Sequence, residues 1–343
     1  MPKKLLLGEN FLPRFETYDD APLGEGFARV RPLYGAPKHG TEMTVITQRV
    51  YDGIYYDGGE KIFKEKAAKE SSVGFGLGNM FVGEITEIRG GACGFEIGER
   101  VAGYGILSET QTVKTSELLK MPGRMTWKEA VCYDPLQFAL SGARDAGCRL
   151  GDAVLISGLG AIGQMAAQAA RLSGASIVAV SDPISRRREA AKENGADFAF
   201  DPETEDVGSI LRGITGGRGA DVVIECSGYY EGIQSSVRAL AYNGSMALVG
   251  WYQTCAFPLN LGLEGHMNQQ NIFFSRACSE PNREYPRWDF ARICAESWRL
   301  LCEGRIKCEN LIFPIIGFGE CDGGYEKYVM NEPCESIKLG VEY

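Results

Sequence analysis

Gly158, Gly160 and Gly163 form a Gly-x-Gly-x-x-Gly turn between the apolar run Ala153-Val154-Leu155-Ile156-Ser157 and a helix-periodic stretch through Met165, Ala166, Ala169, Ala170 and Leu172. That spacing makes a seat for a pyrophosphate. The first glycine permits the tight turn, the second lets phosphates approach bare backbone, and the third lets helix and strand pack closely, while Ala161 and Ile162 open a helix whose N–H groups face the anion. A second apolar run, Ile177 to Ser181, ends in Asp182, about twenty residues beyond the glycines, where a carboxylate accepts hydrogen bonds from ribose hydroxyls. The chemistry is dinucleotide binding. A carboxylate at that place favours NAD, because it repels the 2′-phosphate of NADP. Arg187, beside Arg186, falls where NADP enzymes hold that phosphate and is a further cofactor-contacting candidate; the run Ser185-Arg186-Arg187-Arg188-Glu189 also reads as the solvated first turn of a helix. Ser227, in the later run Glu225-Cys226-Ser227-Gly228, completes the set of cofactor candidates.

The order of elements shows what positions these groups. Before residue 135 the pattern is one of short strand-like runs and glycine turns, among them Phe27 to Val30, Phe81 to Ile88 and Glu99 to Ala102. From Leu136 onward helix and strand alternate, with strands at Asp221 to Glu225, Ser245 to Gly250 and Asn271 to Ser275, as a doubly wound parallel sheet requires. A helical stretch from Trp288 to Cys302 and a mixed tail follow. The expected organisation is a β-rich domain over 1–135 and 285–343, with a nucleotide domain over 136–284 between its two parts and the active site in the cleft between the domains. With 343 residues, a hydrophobic fraction of 44% and a formal charge of −9, the chain has the composition of an ordinary globular protein without a broad basic surface, so nucleic acid is not expected as a partner. No apolar run reaches membrane-spanning length, and Leu5-Leu6-Leu7 is broken by Gly8, Glu9 and Asn10 before it makes a secretory core. Eleven scattered cysteines, an odd number, read as reduced thiols of a cytoplasmic protein.

The chain resembles the medium-chain dehydrogenase/reductase family, and within it the zinc-type alcohol, polyol and threonine dehydrogenases. The resemblance rests on His39-Gly40-Thr41-Glu42, Gly78-Asn79-Met80-Phe81-Val82-Gly83-Glu84-Ile85, Phe95-Glu96-Ile97-Gly98-Glu99-Arg100-Val101, Gly151-Asp152 leading into the glycines, and Asp221 to Gly228. It implies an α/β protein with a GroES-like β-rich catalytic domain and a Rossmann domain. It also implies a homodimer or homotetramer joined through the last strand of the nucleotide sheet, read near Ser245 to Gly250. The departures are as informative as the match. Where the zinc branch has a cysteine ligand this chain has His39, and where that branch has the histidine of Gly-His-Glu it has Asn79 followed by Met80; the third ligand slot corresponds to Asp134. A catalytic zinc takes three protein ligands and leaves one position open, and a carboxamide is a poor substitute for an imidazole. The close-set cysteines of the structural zinc lobe are missing from Ala102-Gly103-Tyr104-Gly105. No metal is expected.

Without zinc, another group must take the hydroxyl proton when hydride leaves a carbinol carbon. His39, one of two histidines, titrates near neutrality and is the leading general base, with Asp134 as its orienting partner and Lys38 as the second candidate. Thr41 resembles the family's relay hydroxyl, and Glu42 and Asn79 are candidates for binding substrate hydroxyls. Arg276, Arg283 and Arg287 either meet an anionic ligand or stiffen a loop. The expected activity is zinc-independent, NAD-linked oxidation of a secondary alcohol of a sugar, glycoside, polyol or cyclitol, the partner being the small-molecule alcohol or carbonyl. Three alternatives stay open: a redox-neutral epimerase or lyase that retains NAD, an NADPH-dependent enone or quinone reductase, and a nucleotide-sensing binding protein.

Overall fold

A computed structural model describes residues 1–48, 53–66, 73–90, 94–252 and 256–343. The chain divides into two compact units, one formed by Met1–Val131 with Ile312–Tyr343 and the other by Cys132–Leu311.

In the second unit six parallel strands lie in the spatial order Phe198–Phe200, Ile177–Ser181, Ala153–Ser157, Ala220–Glu225, Leu240–Leu248, Asn271–Phe274. This is the doubly wound order 3-2-1-4-5-6 of a Rossmann sheet. Its central strands are continuous apolar runs because helices cover both faces: Val154, Ile156, Val178, Val180, Val223 and Ile224 are fully buried. Leu155, Val223 and Met246 pack with Ile233 and Val237 of the helix Tyr230–Ala239 in one core. The sheet ends at Asn271–Phe274, one strand beyond Leu240–Leu248, which corrects the expectation that the strand near Ser245 is the edge.

Both domain boundaries differ from the expected 135 and 285. The helix Tyr133–Asp145 packs on the helices Ala161–Leu172 and Phe290–Cys302, and its unit begins at Cys132. The helix Phe290–Cys302, started by the Asp289 carboxylate accepting from the Arg292 N–H at 2.8 Å, packs on Tyr133–Asp145, with Trp298 edge-on to Tyr133 at 5.4 Å. The return to the first unit therefore waits until Ile312.

The first unit is built on a sheet in the order Ile312–Gly317, Lys338–Glu342, Phe27–Ala36, Met80–Arg89, Arg100–Tyr104, Leu119–Lys120, with Gln111–Lys114 also paired to Phe27–Ala36. Val30, Phe81, Ile85 and Val101 fill one side of it. A second cluster joins Leu5 and Leu7 to Leu77, Leu107, Tyr325, Leu339 and Val341. The leucines near the start of the chain thus form a strand, Lys3–Leu7, antiparallel to Pro13–Thr17. No helix of the described residues is long and apolar enough to cross a membrane.

Candidate functional site

In the second unit the glycine turn has the geometry that its spacing requires. Gly158 has φ +83°, and a Cβ there would lie 2.5 Å from the backbone nitrogen of Ser227; a Cβ on Gly163 would lie 1.8 Å from the Gly158 carbonyl oxygen. Gly160 differs, since a Cβ there would meet no described atom within 4 Å. Gly160 is also the N-cap of the helix Ala161–Leu172 and makes no side-chain cap, so the first-turn N–H groups of Ala161, Ile162 and Gly163 are presented to whatever lies over the turn.

Asp182 is 3% exposed and ties that turn to the next strand. Its Oδ2 accepts from the Leu159 N–H at 2.7 Å and its Oδ1 from the Ile184 N–H at 2.9 Å. Each carboxylate oxygen has a further lone pair for a ribose hydroxyl. Arg187 turns back toward this carboxylate, Nη1 to Oδ2 at 3.7 Å, whereas Arg186 is exposed. Ser227 stands behind Gly158, its N–H donating to Glu225 Oε1 at 3.0 Å and its hydroxyl donating to the same oxygen.

Glu225 was missed as a functional candidate in the sequence. It is fully buried at the carboxyl end of a central strand, bonded also by the hydroxyls of Ser157, at 3.3 Å, and Tyr252. Burial pushes its carboxyl up to about 7, and the bonds from Ser227 and Ser157 oppose that rise. A carboxylate directly after the apolar run Val222-Val223-Ile224 was the available signal. The arginines after Asn271–Phe274 take stiffening positions: Arg283 stacks on Phe273 at 3.9 Å, and Arg287 pairs with Glu284 at 2.6 Å. Asp134 also lies in this unit, buried on the first turn of Tyr133–Asp145.

In the first unit the strand Phe27–Ala36 runs through Pro37 and Lys38 into a helix, His39–Gln48, where the family pattern suggested a loop. Glu42, in its first turn, reaches back to the Lys38 N–H at 3.0 Å and so satisfies a donor exposed where the helix begins, with its charge at the favourable end of the dipole. Thr41 lies in the same turn, partly exposed. His39 Nε2 accepts from the Leu339 N–H at 3.0 Å, so the proton of the neutral ring sits on Nδ1. Asn79 is held by its backbone, its N–H donating to the Ala36 carbonyl at 3.1 Å and its carbonyl accepting from Gly105 at 3.0 Å. Its side-chain NH₂ is buried and has no hydrogen-bond partner among the described residues.

Glu42, expected to bind substrate, is met by donors of its own unit. It is 2% exposed; Oε1 accepts from Lys38 and, at 3.1 Å, from the Gly78 N–H, and Oε2 accepts from the Tyr325 hydroxyl. Burial raises its pKa, while these donors and the Lys338 ammonium favour the ionised form. Tyr325 and Lys338 had no signal in the sequence, because both join the site from nearly 300 residues away.

Comparison with known proteins agrees with both units. Residues 161–291 match the family model described as zinc-binding dehydrogenase. D-guloside 3-dehydrogenase of Escherichia coli (strain K12) is 43% identical over 351 aligned positions that cover 99% of this chain and all of that protein. L-threonine 3-dehydrogenase of Pyrococcus horikoshii is 33% identical over 205, covering 51% of this chain and 59% of that one. Among solved structures, 2R,3R-butanediol dehydrogenase from Bacillus subtilis superposes with a TM-score of 0.76 at 17% identity, covering the whole of both chains. With a GroES-like unit and a Rossmann unit on one chain, and a relative matched along its full length, the protein belongs to the medium-chain dehydrogenase/reductase family of oxidoreductases.

Proposed function

We propose that the protein oxidises a secondary hydroxyl of a sugar, glycoside, polyol or cyclitol, with NAD as hydride acceptor and without a catalytic metal. The observation that carries this is the Asn79 amide. A buried NH₂ without an acceptor costs about 1–3 kcal/mol, and a substrate oxygen satisfies it; an apolar enone offers fewer such oxygens than a sugar does. The name of the full-length relative places a sugar glycoside among that protein's substrates, in line with this polarity. NAD, when bound, supplies the hydride acceptor.

His39 is assigned the hydroxyl proton. Its Nε2 gives up the Leu339 N–H to take it, an exchange of about 1 kcal/mol. That is small beside the roughly 3–5 kcal/mol a positioned base contributes. Lys38 is the alternative acceptor and Thr41 the relay. The donors do not fit a catalytic zinc: a carboxamide stands at Asn79, and among the described residues no three His, Cys, Asp or Glu side chains are grouped as ligands. Elemental analysis of protein prepared without chelator should find well under one zinc per chain. Stoichiometric zinc, with activity lost on its removal and restored on its return, would overturn the metal-free mechanism.

A screen of sugars and cyclitols with NAD, following reduced nicotinamide absorbance, tests the substrate class; turnover confined to simple aliphatic alcohols would refute it. Coenzyme choice is tested at Asp182. Its backbone bonds to Leu159 and Ile184 mean that Asp182→Ser loosens the turn for both coenzymes, so the ratio of affinities isolates the charge. That ratio should move toward NADP by about tenfold or more, or ~1.4 kcal/mol. Equal binding of NAD and NADP by the unaltered protein would refute the assignment of the choice to Asp182 and show that Arg186 or Arg187 offsets its charge.

A further inference from the structure

We infer that Glu42, braced by Tyr325 and Lys338, is the positioning residue that sets His39 and Asn79 in place, the task that a metal performs where ligands converge on one. This rests on the proposed roles of His39 and Asn79. Lys38, Gly78 and Lys338 are each a chain neighbour of one of them or of a group that holds one, and Tyr325 fixes the carboxylate itself. Oε1 accepts from Lys38, which precedes His39, and from Gly78, which precedes Asn79. Gly78 has φ +131°, and a Cβ there would come 2.4 Å from the Leu107 nitrogen, so only glycine makes the turn that delivers its N–H to the carboxylate.

The other oxygen accepts from Tyr325, a fully buried tyrosine at the end of the helix Cys321–Tyr325. Lys338, 3% exposed, supplies the opposing charge, and its Nζ donates to the Pro37 carbonyl at 2.8 Å. The next residue along that strand is Leu339, whose N–H fixes the His39 ring. One carboxylate therefore fixes the backbone just before both functional residues and faces the charge on the strand that sets the imidazole tautomer. Stability alone is a weak reason to keep such a group, since replacing a buried charge pair with packed apolar side chains is often neutral or stabilising.

The test uses Tyr325→Phe, which removes one hydroxyl, and Glu42→Gln, which keeps size and an acceptor but changes charge and partners. With only two histidines in the chain, imidazole ¹⁵N shifts of labelled protein are assigned by comparison with His266→Gln. In the unaltered protein His39 should show the Nδ1–H tautomer. In both variants it should become a mixture dominated by Nε2–H, with His266 unmoved, because the His39 turn slips from Leu339. kcat should fall by about 10- to 100-fold, with the NAD dissociation constant unchanged. A purely structural Glu42 would lower the melting temperature and leave the tautomer alone. If either variant, folded, keeps the His39 ¹⁵N pattern of the unaltered protein, the inference is overturned. A shifted tautomer with unchanged kcat upholds the brace and refutes instead the proposed role of His39 in turnover.

Discussion

His39→Ala is expected to slow the chemical step by about 10²- to 10⁴-fold while leaving NAD affinity nearly unchanged. The two effects separate because His39 belongs to the first compact unit and the glycine turn to the second, each with its own core. Oxidation by the unaltered protein should fall as pH drops through the imidazole titration, since a base must be unprotonated to accept, and the variant should lose that acid limb. The substitution also strands the Leu339 N–H, at about 1 kcal/mol, so a melting curve belongs beside the kinetics. Asp134→Asn, which removes the orienting carboxylate expected from the sequence, should lower kcat in the same direction by less. Near-normal turnover of His39→Ala with an unchanged acid limb would transfer the role to Lys38.

Two glycines of the nucleotide turn should both matter to NAD, but only one of them to stability. Gly163→Ala should both destabilise the protein and weaken NAD binding by about 100-fold or more, ~2.7 kcal/mol, because its Cβ would overlap the Gly158 carbonyl oxygen and force the turn open. Gly160→Val should fold normally, having open space around the new side chain, yet weaken NAD by about tenfold or more by standing where phosphate approaches backbone. Melting curves and titration of NADH fluorescence separate the two. Undiminished NAD affinity in Gly160→Val would mean that the pyrophosphate does not lie over this turn.

How far the sequence could be read follows from how local each feature is. The parallel sheet was legible because strands buried on both faces, such as Val154 to Ile156 and Val222 to Ile224, are unbroken apolar runs next to diagnostic turns. The helix ending at Cys302 was legible from its periodicity, but not the unit it joins, because packing on Tyr133–Asp145 is a tertiary fact. The proposed roles of His39 and Asn79 came from the slots they occupy in the family pattern. Glu42 was named, but not the groups around it: a carboxylate in that slot shows nothing of the partners that bury it, and Tyr325 lies 283 residues away. Glu225 went unnoticed because, Ser227 apart, the hydroxyls that hold it, those of Ser157 and Tyr252, reach it only when the sheet has formed.

The strand Lys338–Glu342 has a consequence for the order in which the molecule is made. It sits inside its sheet, between Ile312–Gly317 and Phe27–Ala36. On a ribosome, residues 132–311 are complete and can close their own sheet while the first unit still lacks an interior strand, and the loop to be closed between Pro37 and Lys338 spans an already folded body. The nucleotide seat can thus be assembled during translation, whereas His39 acquires its ring partner only when Leu339 is made. A nascent chain arrested before Lys338 would hold dinucleotide and turn over nothing.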